Sequence, residues 1–215
     1  MGPPTLINPD HWRDLILETI LQFMPRPAAY SDPQLLAAAI ALAAEGGPAA
    51  VTMVGVAKQV GAPSGSVYHR FQSRPVLLAR VWLAALQAFE QAWWPAAEAS
   101  HDPGEVALIP YTWAQEEPRL ARLLAAHHRH DFVAAGTAST ADILAHEARL
   151  ADRLGILSER FLGDREPASL ERTRFALATV PLAAIRDRWR HPHADPHADP
   201  RALVAEAARA LLEAP

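Results

Sequence analysis

The sequence predicts an all-α protein, on three observations. Ala supplies 45 of the 215 residues, and 19 of the 20 basic residues are Arg, with Lys58 the single lysine; both Ala and Arg rank among the best helix formers. Apolar residues recur at spacings of three and four, and no segment alternates with the period of two that a half-buried strand needs. Pro and Gly clusters then break these patterns into helix-length pieces.

The elements follow in order. Trp12, Leu15, Ile16, Ile20 and Phe23 share one face of a helix over 9–24, capped by Asn8 with Pro9 in the first turn. Residues 25–30 read as a linker. Asp32 and Pro33 open a second helix that runs to Glu45 and stops at Gly46-Gly47-Pro48. A third helix begins after Thr52, and Gly61-Ala62-Pro63 turns the chain into a fourth, 64–71. Ser73 caps a long helix reaching about residue 99, which the sequence His101-Asp102-Pro103-Gly104 ends. Further helices are expected near 105–116, 118–130, 141–162, 168–190 and 200–213, with Pro181 kinking the penultimate one. The domain scheme is an N-terminal extension (1–31), a small helical unit (32–80) and a helical body (81–215).

Composition removes several classes of function. The chain has no Cys, so disulfides, thiolate metal sites and thiol nucleophiles are excluded. No apolar run approaches the roughly eighteen residues of a membrane span, and the first residues lack the basic and apolar regions of a signal peptide. A soluble, cytoplasmic protein with no membrane partner is expected. No Ser/His/Asp arrangement, phosphate-cradling glycine loop or carboxylate pair stands out, so neither an enzyme nor a cofactor is expected.

Charge is unevenly placed. The chain carries a net charge of −4, yet residues 33–80 hold Lys58, Arg70, Arg74 and Arg80 against Glu45 alone, a net +3. Residues 1–32 sum to −2 and the remainder to −5. A basic module on an acidic body points to a polyanionic partner for that module.

That module carries the decisive pattern. In residues 52–74, Val56, Ala57 and Val60 form one apolar face, and Val67 and Phe71 form the facing one. Gly61 can take the positive φ of the tight corner between them. Two short helices joined so, and packed on the helix before them, make a helix-turn-helix unit. The outer surface of its second helix is small and polar, with Ser64, Gly65, Ser66, Tyr68 and His69. Such a surface can enter a DNA groove.

These residues resemble the N-terminal DNA-binding domain of the TetR/AcrR family of transcriptional regulators. The helix from Leu36 to Glu45, Thr52, the string from Gly61 to Arg74, and Leu77-Leu78 carry the resemblance. It implies that Thr52, Tyr68, His69 and Arg74 contact phosphates of double-stranded operator DNA, while Ser64, Gly65 and Ser66 face the major groove. Serine hydroxyls discriminate bases weakly, so affinity is expected to be largely electrostatic. Val54 and Gly55 replace residues that are usually polar in the family, which predicts weaker DNA binding than in most relatives.

The resemblance also implies a ligand-binding and dimerisation body. Its last two helices would pair with those of a second copy, through Leu203, Ala207, Ala210 and Leu211. A homodimer implies a palindromic operator. Trp93, Tyr111, Trp113, His127, His128, Phe132 and His146, with Trp94, come from helices that line the effector pocket in relatives. They suggest an apolar or aromatic small-molecule effector with a few polar anchors. The histidines around 191–197 read as a Pro-rich loop, and no metal site is expected. The reading is a ligand-responsive repressor released from DNA by a small molecule. Its rival is a helical small-molecule- or metal-binding protein with lost or weakened DNA binding.

Overall fold

A computed structural model describes residues 30–134, 140–191 and 199–213, and every regular element among them is helical. The helix expected over 9–24 lies outside the described residues, as do His193 and His197.

Helix α1 (Asp32–Ala50) opens with the expected Asp32 and Pro33. Gly46-Gly47-Pro48 bends it, and one further turn continues to Ala50. Gly47 has φ 68°, a conformation that glycine alone adopts cheaply. Thr52 then caps α2 (Met53–Val60), its hydroxyl accepting the Gly55 backbone N–H at 2.9 Å. Gly61 ends α2 at φ 71°, the left-handed corner the sequence calls for. Helix α3 (Ser64–Phe71) follows. Leu35, Ala39, Val56, Val67, Phe71 and Leu77 are buried where these helices meet.

The exit from α3 is tight. Gln72 sits at φ 57°, ψ −45°, and the Ser73 N–H donates to the Phe71 carbonyl at 2.5 Å. This is a γ-turn with positive φ, a strained conformation. Burial of Phe71 before it and Leu77 after it holds it in place. Ser73 stands at the cap position of α4 (Arg74–Ala99), but its hydroxyl makes no capping bond there. Pro75 in the first turn and the Arg74 tether described below anchor this end instead.

Helix α4 spans about 39 Å at 1.5 Å per residue and runs from the small N-terminal unit into the body. Asp102 caps α5 (Pro103–Glu116) by accepting the Gly104 N–H at 2.8 Å. The helix expected over 118–130 is two helices, α6 (Pro118–Ala126) and α7 (Arg129–Phe132). The break falls at His127 and His128, where the Asp131 carboxylate takes the His128 backbone N–H at 2.8 Å. That local bond outcompetes helix continuation.

Helix α8 (Thr140–Leu162) runs parallel to α4. His146 meets Glu90, and further along both helices the Arg160 guanidinium donates to the carbonyls of Ala97 and Ser100 at 2.9 and 2.8 Å. Next comes a continuous rod of α9 (Pro167–Arg174), a wide π turn (Phe175–Thr179) and α10 (Val180–Arg190). The wide turn gives the helix its answer to Pro181. Proline brings no N–H and its ring would strike the carbonyl four residues back; the ladder opens instead, and the Val180 N–H bonds to Phe175, five residues back.

Helix α11 (Arg201–Leu212) packs on α5. Its Arg209 donates to both oxygens of Asp102, at 2.9 and 2.5 Å. Gly104 makes room for this pair, since a Cβ there would lie 2.7 Å from the Arg209 guanidinium carbon. The body core gathers Trp93, Val106, Trp113, Leu157, Leu177 and Leu212. No helix among the described residues is long and apolar enough to cross a membrane.

Candidate nucleic-acid interface and sensory body

The outer face of α3 is as bare as its sequence suggests. Ser64, Gly65, Tyr68 and His69 are exposed, Tyr68 by 51%, and Ser66 is half-buried. No side chain caps the N-terminus of α3; the Ser66 N–H donates to the Pro63 carbonyl at 3.0 Å, which leaves the Ser64 and Gly65 amides at the positive end of the helix dipole. A Cβ added to Gly65 would meet nothing within 4 Å. Neither backbone conformation nor crowding inside the protein requires a glycine at this position.

On α2, Thr52 is exposed and its oxygen is occupied by the cap, which leaves the hydroxyl proton free to donate outward. Val54 is 63% exposed. Gly55 has a local cause: a Cβ there would approach the Thr52 hydroxyl oxygen to 2.8 Å. The residue is therefore tied to the cap.

The basic residues divide by partner. Arg74 is half-buried and donates to the carbonyls of Val51 and Pro48, at 2.6 Å each, tying the start of α4 to the α1–α2 connection. Arg70 pairs with Asp32 across the unit. Lys58 and Arg80 remain exposed. The net +3 of residues 33–80 is thus partly spent inside the fold, which charge counting along the sequence could not reveal.

The aromatic and histidine residues expected around an effector do not share one cavity. Trp93 and Trp113 are buried in the core and both flank Phe89, with ring centroids 6.0 and 5.1 Å away. Phe132 is buried and stacks on Trp82 at 5.5 Å. His127 packs edge-on against Phe132 and lies over Gly47, where a Cβ would come within 3.1 Å of its ring. His128 is exposed and stacks on His130.

His146 is fully buried, with Nδ1 2.8 Å from the Glu90 carboxylate, which also holds Arg153. Burial depresses the His146 pKa below its ordinary 6.5, against the opposing pull of Glu90, and Arg149 and Arg153 add to the depression. Arg153 in turn lies 4.9 Å over the Trp94 ring.

Of the expected residues only Tyr111 lines a large cleft of about 730 Å³ between α5, α6, α10 and the start of α11. Its other walls were not anticipated: Arg122, Ile185, Arg188 and Trp189, with Asp199 and Arg201 at the rim. These residues are separated by up to 90 positions in the sequence, and no motif joins them. Among the described residues, no group of three or more His, Asp or Glu is arranged to hold a metal ion.

Comparison with known proteins agrees with this architecture. Residues 35–81 match the family model described as bacterial regulatory proteins, tetR family. The fatty acid degradation regulator FadR from Bacillus halodurans superposes with a TM-score of 0.59 at 16% identity, covering 85% of this chain and 98% of that one. SmeT, the repressor of the Stenotrophomonas maltophilia multidrug efflux pump SmeDEF, gives 0.58 at 21% identity, covering 85% and 90%. PfmR, a TetR family transcriptional regulator from Thermus thermophilus, gives 0.57 at 19%, covering 83% and 96%. Comparison with curated proteins finds no match. Residues 35–81 thus resemble the N-terminal domain of the tetR family, and the described residues share the all-helical fold of these solved regulators.

Proposed function

We propose that the protein is a ligand-responsive transcriptional repressor that binds a palindromic operator as a homodimer, with residues 32–80 reading DNA and 81–215 sensing and dimerising. The observation that carries the DNA-binding part is Gly65. A helical glycine with open space around it sacrifices helix stability for no internal reason. Its use is external: a bare first turn lets the backbone amides of α3 approach a phosphate or base edge closely. Ser64 and Ser66 flank it for groove contacts, and Thr52, Tyr68 and His69 reach phosphates on either side. Arg74 contributes its charge at the N-terminus of α4 while it holds the α1–α2 connection.

Two further observations support the rest. Leu203 is 69% exposed and Phe175 45%, with Ala210 also exposed, while Val204, Ala205, Ala208 and Leu212 pack inward. The outer faces of the π turn and of α11 thus keep apolar surface for a second copy. The other observation is a mechanical link. Helix α6 carries Arg122 into the large cleft and, just past its end, His127 lies against Gly47 at the bend of α1. A molecule that shifts α6 would press on the DNA-reading unit, so that its differential affinity for two arrangements sets DNA affinity.

Gly65→Ala tests the reading directly. The substitution should leave the melting temperature unchanged or raise stability by roughly 0.5 kcal/mol, while weakening DNA binding in an anisotropy titration. Gain or retention of stability with undiminished DNA affinity would remove α3 from the interface.

A further inference from the structure

We infer that the cleft between α5, α6, α10 and α11 binds an organic monocarboxylate with an aromatic body, its anion held by Arg122 and Arg188. The inference rests on the reading of the body as a small-molecule sensor and names the chemistry of that molecule.

The size is right: about 730 Å³ falls within the roughly 300–1,000 Å³ of small-molecule sites. Charge then selects the ligand. At the rim, Arg201 is committed to Asp199, with Nε 2.6 Å from Oδ2. Asp187 is engaged by His191 at 3.1 Å. Arg122 and Arg188 have no carboxylate within ion-pair distance among the described residues, and Arg122 instead lies 5.8 Å over the Trp189 ring. Among the described residues neither guanidinium is directly paired with a carboxylate, although Arg188 acts on Asp199 from a longer range, and both line a partly enclosed space that suits bidentate recognition of a planar anion.

The floor makes a second demand. Tyr111 is only 8% exposed and its hydroxyl has no hydrogen-bond partner among the described residues. Burial, reinforced by Asp199, pushes its pKa up to about 12, so it stands as a protonated donor awaiting an acceptor. A carboxylate satisfies it together with the arginines, whereas a hydrocarbon leaves the donor orphaned. Ile185, Ala114 and the Trp189 ring supply an apolar wall, which a bare inorganic anion would leave wet. Acid group and aromatic body are both required.

The test is calorimetric titration of the whole protein with naphthalene-2-acetate, its neutral amide naphthalene-2-acetamide, and inorganic phosphate. The acid should bind at least about tenfold tighter than the amide, in keeping with charge-assisted hydrogen bonds, and tighter than phosphate. Arg188→Gln and Arg122→Gln should each reduce the preference for acid over amide. Tyr111→Phe should weaken the acid about threefold, a single neutral hydrogen bond, without lowering the melting temperature. The proposal is overturned by equal affinity for acid and amide, by phosphate binding as tightly as the acid, by no saturable acid binding at all, or by indifference to Arg188→Gln. A parallel DNA titration separates the two readings. Acid that binds through Arg188 yet leaves DNA affinity unchanged sustains the site and refutes its sensing role.

Discussion

The N-terminal unit and the body of this chain use the same alanine-rich helices to different ends. Around α3 the protein keeps its outward face small and polar at Ser64, Gly65 and Ser66, and buries Val67 and Phe71 behind it. Around the large cleft it does the opposite, burying indoles in the core and leaving guanidinium groups at the wall. The first surface is suited to a long, repetitive polyanion that must slide into contact. The second is suited to one small molecule held from several sides. One face offers backbone and water-accessible hydroxyls; the other offers guanidinium charge beside an apolar wall.

This contrast can be broken by substitution, and the largest effect should come from the hinge of the N-terminal unit. Phe71 is buried at the γ-turn that joins α3 to α4. Phe71→Ala should cost about 3 kcal/mol, measured by urea denaturation, and abolish DNA binding. Acid binding at the cleft should survive, because none of its lining residues lies in 32–80. Loss of both activities at once would show that the two regions fold as one cooperative unit.

A smaller loss is expected inside the body. Glu90 pairs with Arg153 and lies 2.8 Å from the His146 ring in a buried setting. Glu90→Leu strands both partners and should cost about 2 kcal/mol, less than for a fully enclosed pair because Arg153 reaches solvent. Thermal melts read this cost, with DNA affinity of the folded fraction as the control.

Gly55→Ala sharpens the comparison with Gly65. Both are exposed or half-exposed helical glycines, yet only Gly55 has an internal reason, the Thr52 cap 2.8 Å from a would-be Cβ. Displacing the cap costs about 1 kcal/mol, which offsets the propensity gained by adding a methyl. Gly55→Ala should therefore be neutral to slightly destabilising where Gly65→Ala is neutral to stabilising. The same sign in both would erase the distinction.

The smallest effect is in pH. The folded His146 has its pKa lowered below the ordinary 6.5, so the unfolded chain binds more protons in the window just below that value. Its contribution is complete above the unfolded pKa and is lost as pH falls toward the folded one. Acidification from about pH 7.5 to 5.5 should lower the melting temperature by a few degrees, and His146→Gln should flatten that dependence. A melting temperature that rises on acidification would reverse the sign and discard this account of His146.

The sequence disclosed most of what depends on neighbours. Thr52, Gly61, Pro63 and Phe71 lie within 20 positions of one another, and each acts through local geometry: a cap, a left-handed corner, a helix start, a buried end. Non-local partners stayed hidden. Arg74 reads as a phosphate ligand along the chain, and only the fold brings the Val51 and Pro48 carbonyls to it. Arg209 and Asp102 are 107 positions apart, with no spacing rule to connect them. Aromatic character marks core as readily as pocket. Trp93 and Trp113 went to the core, and arginines came to the cleft.

The most direct test of the central claim is fluorescence anisotropy with a labelled duplex from upstream of the protein's own gene, against a shuffled duplex, at low and moderate salt. The account predicts at least about tenfold preference for the native sequence and an affinity that falls steeply as salt rises from about 50 to 200 mM, with Gly65→Ala weakening both. Equal, weak and salt-insensitive binding to both duplexes, unchanged by Gly65→Ala, would contradict it.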